Sequence, residues 1–178
     1  DVEHDIVNPV AENYDIVFAM LEAPLASNGI IIRRMFSLER GLFAAPALLE
    51  RLGEPASWAE LMNFPLLTGP SDTPWAITTP EGTVEHLDVQ KARLVSSNAH
   101  VRLQAAIAGH GVIRVTATYA KAAADAGLLR QVLPDHGCEP LNVHALLPTR
   151  QFVPAKVRVF LNALDGHAYV PPPALAEL

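Results

Sequence analysis

The stretch that most constrains the fold is residues 96–115, which read SSNAHVRLQAAIAGHGVIRV. Ser97 or Asn98 is placed to cap a helix, because either side chain can accept a hydrogen bond from an unpaired backbone N–H of the first turn. Gly109 is expected to end that helix, since glycine readily takes the left-handed conformation of a C-cap. The β-branched, apolar run at residues 111–115 then predicts a central strand.

An apolar stripe follows this helix, formed by Val101, Leu103, Ala105, Ala106, Ile107 and Ala108. It is clearest at Val101, Ala105 and Ala108, which are spaced four and three residues apart. A short strand at residues 94–96 precedes the helix, so the unit is strand, helix, strand. Such a unit places the helix N-terminus at the carboxyl edge of a sheet, where open α/β folds bind ligands and backbone N–H groups favour anions. This edge is the first candidate binding site.

The composition excludes several classes of function. Half of the 178 residues are hydrophobic, so the chain can bury one good core or two small ones. A net charge of −6 argues against nucleic-acid binding by this chain alone, because that needs clustered Lys and Arg. Cys138 is the only cysteine, so an internal disulfide is impossible. No apolar run approaches ~20 residues and no secretory leader is visible, which predicts a cytoplasmic protein without a membrane partner.

Strands and helices alternate along the chain, which predicts an α/β fold, and one hairpin around residues 80–82 indicates a mixed sheet. Residues 1–4 look like the end of a strand. The almost wholly apolar run at residues 14–20 predicts a strand that is covered on both faces. The remaining predicted strands and hairpin arms are residues 30–36, 41–45, 64–67, 73–79, 83–89, 128–133 and 141–147. The remaining predicted helices are residues 6–12, 46–52, 58–62, 117–126 and 155–164, and the last of these is amphipathic. Predicted irregular segments are the loops at residues 21–29 and 135–140 and the Pro-rich tail at 165–178.

The order of these features resembles the effector-binding domain of LysR-type transcriptional regulators. The segments that carry the resemblance are VAENYDI (10–16), APALL (45–49), PASWAEL (55–61), Trp75, PEG (80–82), SN (97–98), AGHGV (108–112), GLL (127–129), VLP (132–134) and PAKVRVFL (154–161). No single segment is specific. The correct order of many weak matches across residues 6–164 supports the resemblance.

The resemblance implies a type II periplasmic-binding-protein-like fold, with two Rossmann-like α/β subdomains joined by two crossover strands and a small-molecule effector in the cleft. The first subdomain would be residues 1–39 and 143–164, and the second residues 40–142. Relative to the family, the N-terminal winged helix-turn-helix and linker helix, and the first strand and helix of the first subdomain, are expected to be missing here. DNA binding would then depend on the helix-turn-helix of the full-length protein.

The resemblance implies a sensor rather than an enzyme, with no cofactor. A small effector, a carboxylate or an aromatic compound, would bind one arrangement of the subdomains better than another and so control transcription. The family also implies a homodimer or, at full length, a tetramer, and the outer face of the helix at residues 98–108 is a candidate contact. The alternative function, with the same fold, is a free-standing solute-binding protein for transport.

Four of the seven predicted ligand-binding residues lie at two candidate positions. Ser97 and Asn98 match the position where the family commonly contacts its effector, and the alternative is a plain helix cap without a ligand. Met20 and Leu21 stand where an apolar strand ends, and the alternative there is core packing. Ala19 replaces an arginine that is common in the family, which favours a weakly charged or apolar effector.

The other three predicted ligand-binding residues are Thr68, Gly69 and Arg114. Thr68 and Gly69, with Pro70, form a polar turn that could line the cleft, and the alternative is an ordinary surface loop. Arg114 lies within a strand, where a buried guanidinium must be paired or face a polar cavity. The alternative, which the sequence favours, is an edge or snorkelled position with a carboxylate partner.

Metal and catalytic sites have little support in the sequence. Among the seven histidines no pair has ligand spacing, and His100 and His110 stand at opposite ends of one helix. His136 and Cys138 are two residues apart, which is a weak zinc signal, and Cys138 has no resolving partner, so we expect a free structural thiol. Gly-x-Ser-x-Gly, phosphate-loop and Gly-x-Gly-x-x-Gly motifs are missing, so neither nucleophilic hydrolysis nor nucleotide chemistry is predicted.

Overall fold

The fold is described from a computed structural model, for residues 8–20, 29–72, 74–89, 91–148 and 154–165. The chain divides into two compact units: unit 1 is Asp1–Leu38 with Leu141–Leu178, and unit 2 is Glu39–Pro140. The subdomain boundaries expected from the resemblance fall one or two residues further on, at 39/40 and 142/143. The predicted strand end at residues 1–4, and most of the loop at 21–29 and of the Pro-rich tail, lie outside the described residues.

The elements of the described residues are numbered in chain order. The strands are β1 (Val17–Met20), β2 (Ile30–Leu38), β3 (Arg40–Ala44), β4 (Leu66–Thr68), β5 (Trp75–Thr78), β6 (Val84–Leu87), β7 (Leu94–Val95), β8 (Val112–Thr116), β9 (Arg130–Val132), β10 (Gly137–Cys138) and β11 (Leu141–Pro148). The helices are α1 (Pro46–Leu52), α2 (Trp58–Leu61), α3 (Ala99–Ile107), α4 (Ala117–Asp125) and α5 (Ala155–Asp165).

Unit 1 contains an antiparallel sheet in the order β1, β11, β2. The helix α5 is amphipathic, as predicted, and buries Val157 and Leu161, one turn apart, with Ala145 and Leu147 of the central strand. The predicted helix at residues 6–12 is wrong where it is described, because residues 8–13 form hydrogen-bonded turns.

Strand β1 was predicted to be covered on both faces, and this is wrong. Phe18 and Met20, which alternate with half-buried neighbours, are exposed. Within the described residues β1 pairs only with β11, so it is an edge strand. An apolar sequence therefore does not distinguish a strand buried on both faces from one with an exposed apolar face.

Unit 2 contains a mixed five-stranded sheet in the order β7, β4, β8, β3, β9. Strands β7, β4 and β8 are parallel, while β3 runs antiparallel to β8 and β9. The prediction that residues 111–115 form a central strand is confirmed, and so is the hairpin, whose arms β5 and β6 pair antiparallel around a turn with Gly82 at a φ of 86°. The predicted α/β class is therefore confirmed.

Alternate residues of β8 point into two different cores. Val112 lies with Leu42 and Trp75 on the face covered by the hairpin and α1. Ile113 lies with Leu103 and Ala120 on the face covered by α3 and α4. Because β8 is covered on both faces, its sequence is almost continuously apolar. Arg114 is the one charged residue of this strand, and it is buried.

Two local predictions in unit 2 need correction. Leu103 and Ala106 of the predicted stripe of α3 are buried, but the residues at which it was clearest include two that do not pack, because Val101 is 45% exposed and Ala108 is exposed. This helix is apolar around most of its circumference, so spacing alone does not fix which face packs. The predicted loop at residues 135–140 contains β10, which pairs with β5, because a two-residue strand depends on its tertiary partner rather than on a local pattern. None of the helices in the described part of the chain is long and apolar enough to cross a membrane.

Candidate functional site

Two turns of unit 2 meet at the carboxyl ends of the parallel strands β4 and β7. The pairing of these strands places Thr68 beside Val95, and the Ser96 N–H donates to the Thr68 carbonyl at 3.0 Å. Gly69 follows Thr68, and residues 97–98 follow Ser96 and lead into α3. The structure therefore brings together four of the predicted residues, Thr68, Gly69, Ser97 and Asn98, which we call the edge site.

The start of α3 is capped by Asn98 rather than by Ser97. The Asn98 Oδ1 accepts hydrogen bonds from the backbone N–H groups of His100, at 2.9 Å, and Val101, at 3.4 Å. The N–H of Asn98 itself donates to the Ser96 Oγ at 3.2 Å. Since the cap occupies two of the N–H groups that otherwise lack partners, a ligand here meets fewer free donors than the sequence suggested. The Ser97 residue is exposed.

The turn after β4 is anchored to the interior of unit 2. Thr68 and Gly69 are buried and Pro70 is exposed. The Thr68 hydroxyl donates to the carbonyl of Asp72 at 2.9 Å and accepts a hydrogen bond from the Trp75 Nε1 at 3.3 Å. The ordinary surface loop considered from the sequence therefore does not describe Thr68 and Gly69, because their turn is tied to a buried tryptophan.

Arg114 is buried on the central strand, so the edge or snorkelled position favoured from the sequence is wrong. The expected carboxylate partner is present, since the Nη2 of Arg114 donates to the Oδ1 of Asp72. Its guanidinium also lies 5.3 Å from the ring centroid of Trp75. The Nε and Nη1 atoms are buried without a hydrogen-bond partner among the described residues. Arg114 is thus linked to Thr68 through Asp72 and Trp75.

Two further arginines at this edge were missed by the sequence reasoning. The Nη1 of Arg40 lies 3.4 Å from the Oδ1 of Asp72, and its Nε donates to the Glu139 carbonyl at 2.6 Å. The Nη1 of Arg102 donates to the Ser96 carbonyl. Burial lowers the pKa of Arg102. One signal was available: Arg102 follows the cap residue by four positions, which places both on one helix face.

The remaining predicted ligand residues belong to unit 1. Met20 ends β1 and is 61% exposed, so it is not a core residue there. Leu21 lies outside the described residues. Met20 and the edge site therefore belong to different units.

The Cys138 thiol is buried and free of disulfide bonding. Burial raises its pKa, an effect that Arg114 and Arg40 oppose less strongly. The thiol is therefore protonated at neutral pH and is a poor nucleophile. Within the described ranges, no group of three or more His, Cys, Asp or Glu side chains is arranged to hold a metal ion.

A cavity of about 460 Å³ lies elsewhere in unit 2 and includes Glu54, Arg130, Leu133 and His136 in its lining. Arg130 belongs to β9, which is at the opposite edge of the sheet from β7. Arg130 is paired with Glu54. None of the predicted ligand residues that the structure describes lines this cavity, whereas four of them meet at the edge site, which is therefore the better candidate.

Comparison with known proteins relates the chain to bacterial regulators. The HTH-type transcriptional regulator YhjC of Escherichia coli K12 is 28% identical over 148 residues, which are 80% of this chain and 48% of YhjC. The HTH-type transcriptional activator AaeR of the same organism is 25% identical over 160 residues, which are 89% of this chain and 51% of AaeR. The chain therefore spans about half the length of these relatives.

A solved structure has the same fold. The full-length virulence activator AphB of Vibrio cholerae, a member of the LTTR protein family, matches with a TM-score of 0.75 and 25% identity over 93% of this chain and 55% of AphB. The predicted type II periplasmic-binding-protein-like fold is thereby confirmed. The family model of the LysR substrate-binding domain matches residues 1–168. Since that match spans nearly the whole chain, the chain belongs to the LysR substrate-binding domain family, as the sequence resemblance predicted.

Proposed function

We propose that this chain is the effector-sensing part of a LysR-type transcriptional regulator and that a small molecule binds at the edge site. The observation that supports this most is that Thr68, Gly69, Ser97 and Asn98 meet at the carboxyl ends of parallel strands beside a capped helix. Open α/β sheets bind ligands at this edge, and a helix start favours a polar or anionic group. A ligand that binds one conformation better than another shifts the population toward it.

The local structure supports a preorganised site rather than two loose loops. The backbone hydrogen bond from Ser96 to Thr68 joins the two turns, and the Asn98 cap fixes the start of α3. Thr68 is held through Asp72 and Trp75. A site whose residues are already in place loses less conformational entropy when a ligand binds.

A thermal-shift screen of small carboxylates and aromatic compounds tests the proposed site. We expect at least one compound to raise the unfolding temperature of the wild-type chain. Ser97→Trp should abolish that shift, because Ser97 is exposed and an indole there would fill the edge site. Ala122→Trp, at an exposed position of α4, is the matched control and should retain the shift. A shift that survives Ser97→Trp, or a broad screen without any shift, would refute the proposal.

The proposed partners follow from the relatives. The HTH-type regulators YhjC and AaeR extend well beyond the matched region, so we propose that DNA is bound through a helix-turn-helix of the full-length protein, in the cytoplasm.

We also propose a homodimer, or a tetramer at full length, to which the outer face of α3 contributes. Val101 is exposed on that face. Light scattering should show a dimer that Val101→Glu weakens, and a wild-type monomer at high concentration would contradict this.

A free-standing transport protein is not favoured, because the relatives are transcriptional regulators.

We also propose that the ligand is bound and released without chemical change. Mass spectrometry of a compound found in the screen, after prolonged incubation with the chain, should recover it intact. Accumulation of a product, and its loss in Ser97→Ala, would instead indicate an enzyme.

A further inference from the structure

Among the described residues of the edge site, the carboxylate of Asp72 serves more than one guanidinium. The Oδ1 of Asp72 is shared between Arg114, whose side chain is 3% exposed, and Arg40, whose Nη1 is 3.4 Å away. A second described carboxylate, that of Glu139, is 62% exposed, and its Oε2 lies 4.0 Å from the Nη2 of Arg40. Asp72 does not satisfy even Arg114, whose Nε and Nη1 are unpaired among the described residues.

Arg102 is the third guanidinium of this group, and no carboxylate in the described part of the chain forms an ion pair with it. Its one described hydrogen bond runs from Nη1 to the neutral carbonyl of Ser96. Its Nε is buried without a hydrogen-bond partner in the described part of the chain. Burial lowers the pKa of Arg102, and Asp72 and Tyr119 offset that effect only in part. The positive charge of Arg102 is therefore only partly compensated, by a carboxylate that already forms ion pairs with Arg114 and Arg40.

Arg102 belongs to the edge site by position. It stands one turn after the Asn98 cap, and its hydrogen bond to Ser96 folds the guanidinium back toward the start of α3. A Cβ on Gly69 would lie 3.4 Å from the Nη1 of Arg102, so the guanidinium rests against the bare backbone of that glycine. The charge therefore lies between the two turns that form the site.

We infer that the effector carries a carboxylate and that Arg102 is the residue that binds it. This inference rests on the proposed function of the edge site. Because Nη1 donates to Ser96, the other edge of the guanidinium, formed by Nε and Nη2, has no described hydrogen-bond partner. The two parallel N–H groups of that edge match the two oxygens of a carboxylate. The positive end of the α3 dipole acts in the same direction. The sequence favoured a weakly charged effector because Ala19 stands where the family often has an arginine. In the edge site, Arg102 of α3 supplies a positive charge instead.

The test compares carboxylates with neutral amides of the same shape: benzoate with benzamide, nicotinate with nicotinamide, and succinate with succinamide. Calorimetric titration of the chain should show at least one carboxylate that binds about tenfold or more tightly than its amide. Arg102→Met should weaken that carboxylate by about tenfold to a hundredfold and remove the preference. Arg102→Lys, which keeps the charge and loses the fork, should bind with intermediate affinity. Arg51→Met, at an exposed position of α1, should bind like wild type.

The possible results separate this inference from the proposed function. Amides that bind as tightly as carboxylates, with Arg102→Met unchanged, would overturn the inference and leave the proposed function standing. Sulfate and phosphate are titrated in parallel, and binding of these alone, lost in Arg102→Met, would show an inorganic oxyanion site and overturn the carboxylate. A panel in which neither charged nor neutral compounds bind would count against the proposed function as well. If Arg102→Met does not fold, the carboxylate affinity of Arg102→Lys is the deciding measurement. An affinity equal to that of the wild type would exclude bidentate binding by the guanidinium.

Discussion

The guanidinium of Arg114 and the carboxylate of Asp72 form a largely buried ion pair that joins the central strand of the five-stranded sheet to the turn after β4. The Trp75 ring lies over the same guanidinium and stabilises it further. A buried guanidinium without its carboxylate is strongly unfavourable. The stability of unit 2, and the position of Thr68 beside it, therefore depend on Asp72.

Asp72→Ala should lower the free energy of unfolding by about 3 kcal/mol, because it leaves the charge of Arg114 buried without compensation. Urea denaturation measures this directly. The double variant Asp72→Ala with Arg114→Met should be more stable than Asp72→Ala alone, since no unpaired charge then remains on β8. Glu54→Ala is the control, because it breaks the exposed pair with Arg130 and should cost less than about 1 kcal/mol. Equal losses in the two single variants would contradict this account.

Asn98 allows stability and ligand binding to be separated. Asn98→Ala should lower the free energy of unfolding by about 1 kcal/mol, because the N–H groups of His100 and Val101 lose their acceptor. Asn98→Asp keeps the cap and places a negative charge at the positive end of α3, so it should be at least as stable as wild type. The same charge repels an anionic effector, so carboxylate affinity should fall. Tighter carboxylate binding in Asn98→Asp would refute the anionic character of the ligand.

Much of the fold was predictable because local signals agreed with the tertiary structure. Helix α1 begins at Pro46 and is followed by Gly53 at a φ of 85°, which matches the preference of proline for the first turn and of glycine for a helix end. The strand β10 and the buried face of α3 were not predictable in the same way. Gly137 pairs with Thr78, far away in sequence. In α3, six of the nine residues are apolar and lie on more than one side of the helix, so the neighbouring elements determine which of them pack.

The site was predictable where a residue carries a local backbone role. Asn98 is such a residue, because a helix cap has a sequence signature. Asp72 and Arg102 have no such signature, and their importance depends on which strands lie side by side. Arg114 was predicted at the wrong position for a related reason. A charged residue is expected to be exposed, and it can be buried only when a carboxylate pairs with it, which here comes from a different segment of the chain.

Cys138 should make the stability of the chain depend on pH in the alkaline range. Burial raises the folded-state pKa of this thiol above the unfolded-state value. The contribution of the thiol to the free energy of unfolding is therefore fully present below the unfolded-state pKa. It is lost as the pH rises through the folded-state pKa, because the thiol ionises more readily in the unfolded chain. Urea denaturation between about pH 7 and 10 should show wild type losing stability relative to Cys138→Ala as the pH increases. Parallel curves for the two proteins would contradict the buried, protonated thiol.

Among the described glycines without a positive φ, Gly111 is the one at which a side chain should be least tolerated, for a purely steric reason. A Cβ at this position would lie 2.6 Å from the Pro65 carbonyl oxygen and 2.9 Å from side-chain atoms of Leu67. The same carbonyl accepts the N–H of Val112 at 2.8 Å, so the backbone has little room to move without weakening the pairing of β4 with β8. Gly111→Ala should cost about 1–3 kcal/mol in urea denaturation. Gly137→Ala is the control, because its Cβ would meet Thr78 at an ordinary 3.4 Å, and a loss as large as that of Gly111→Ala would refute the steric explanation.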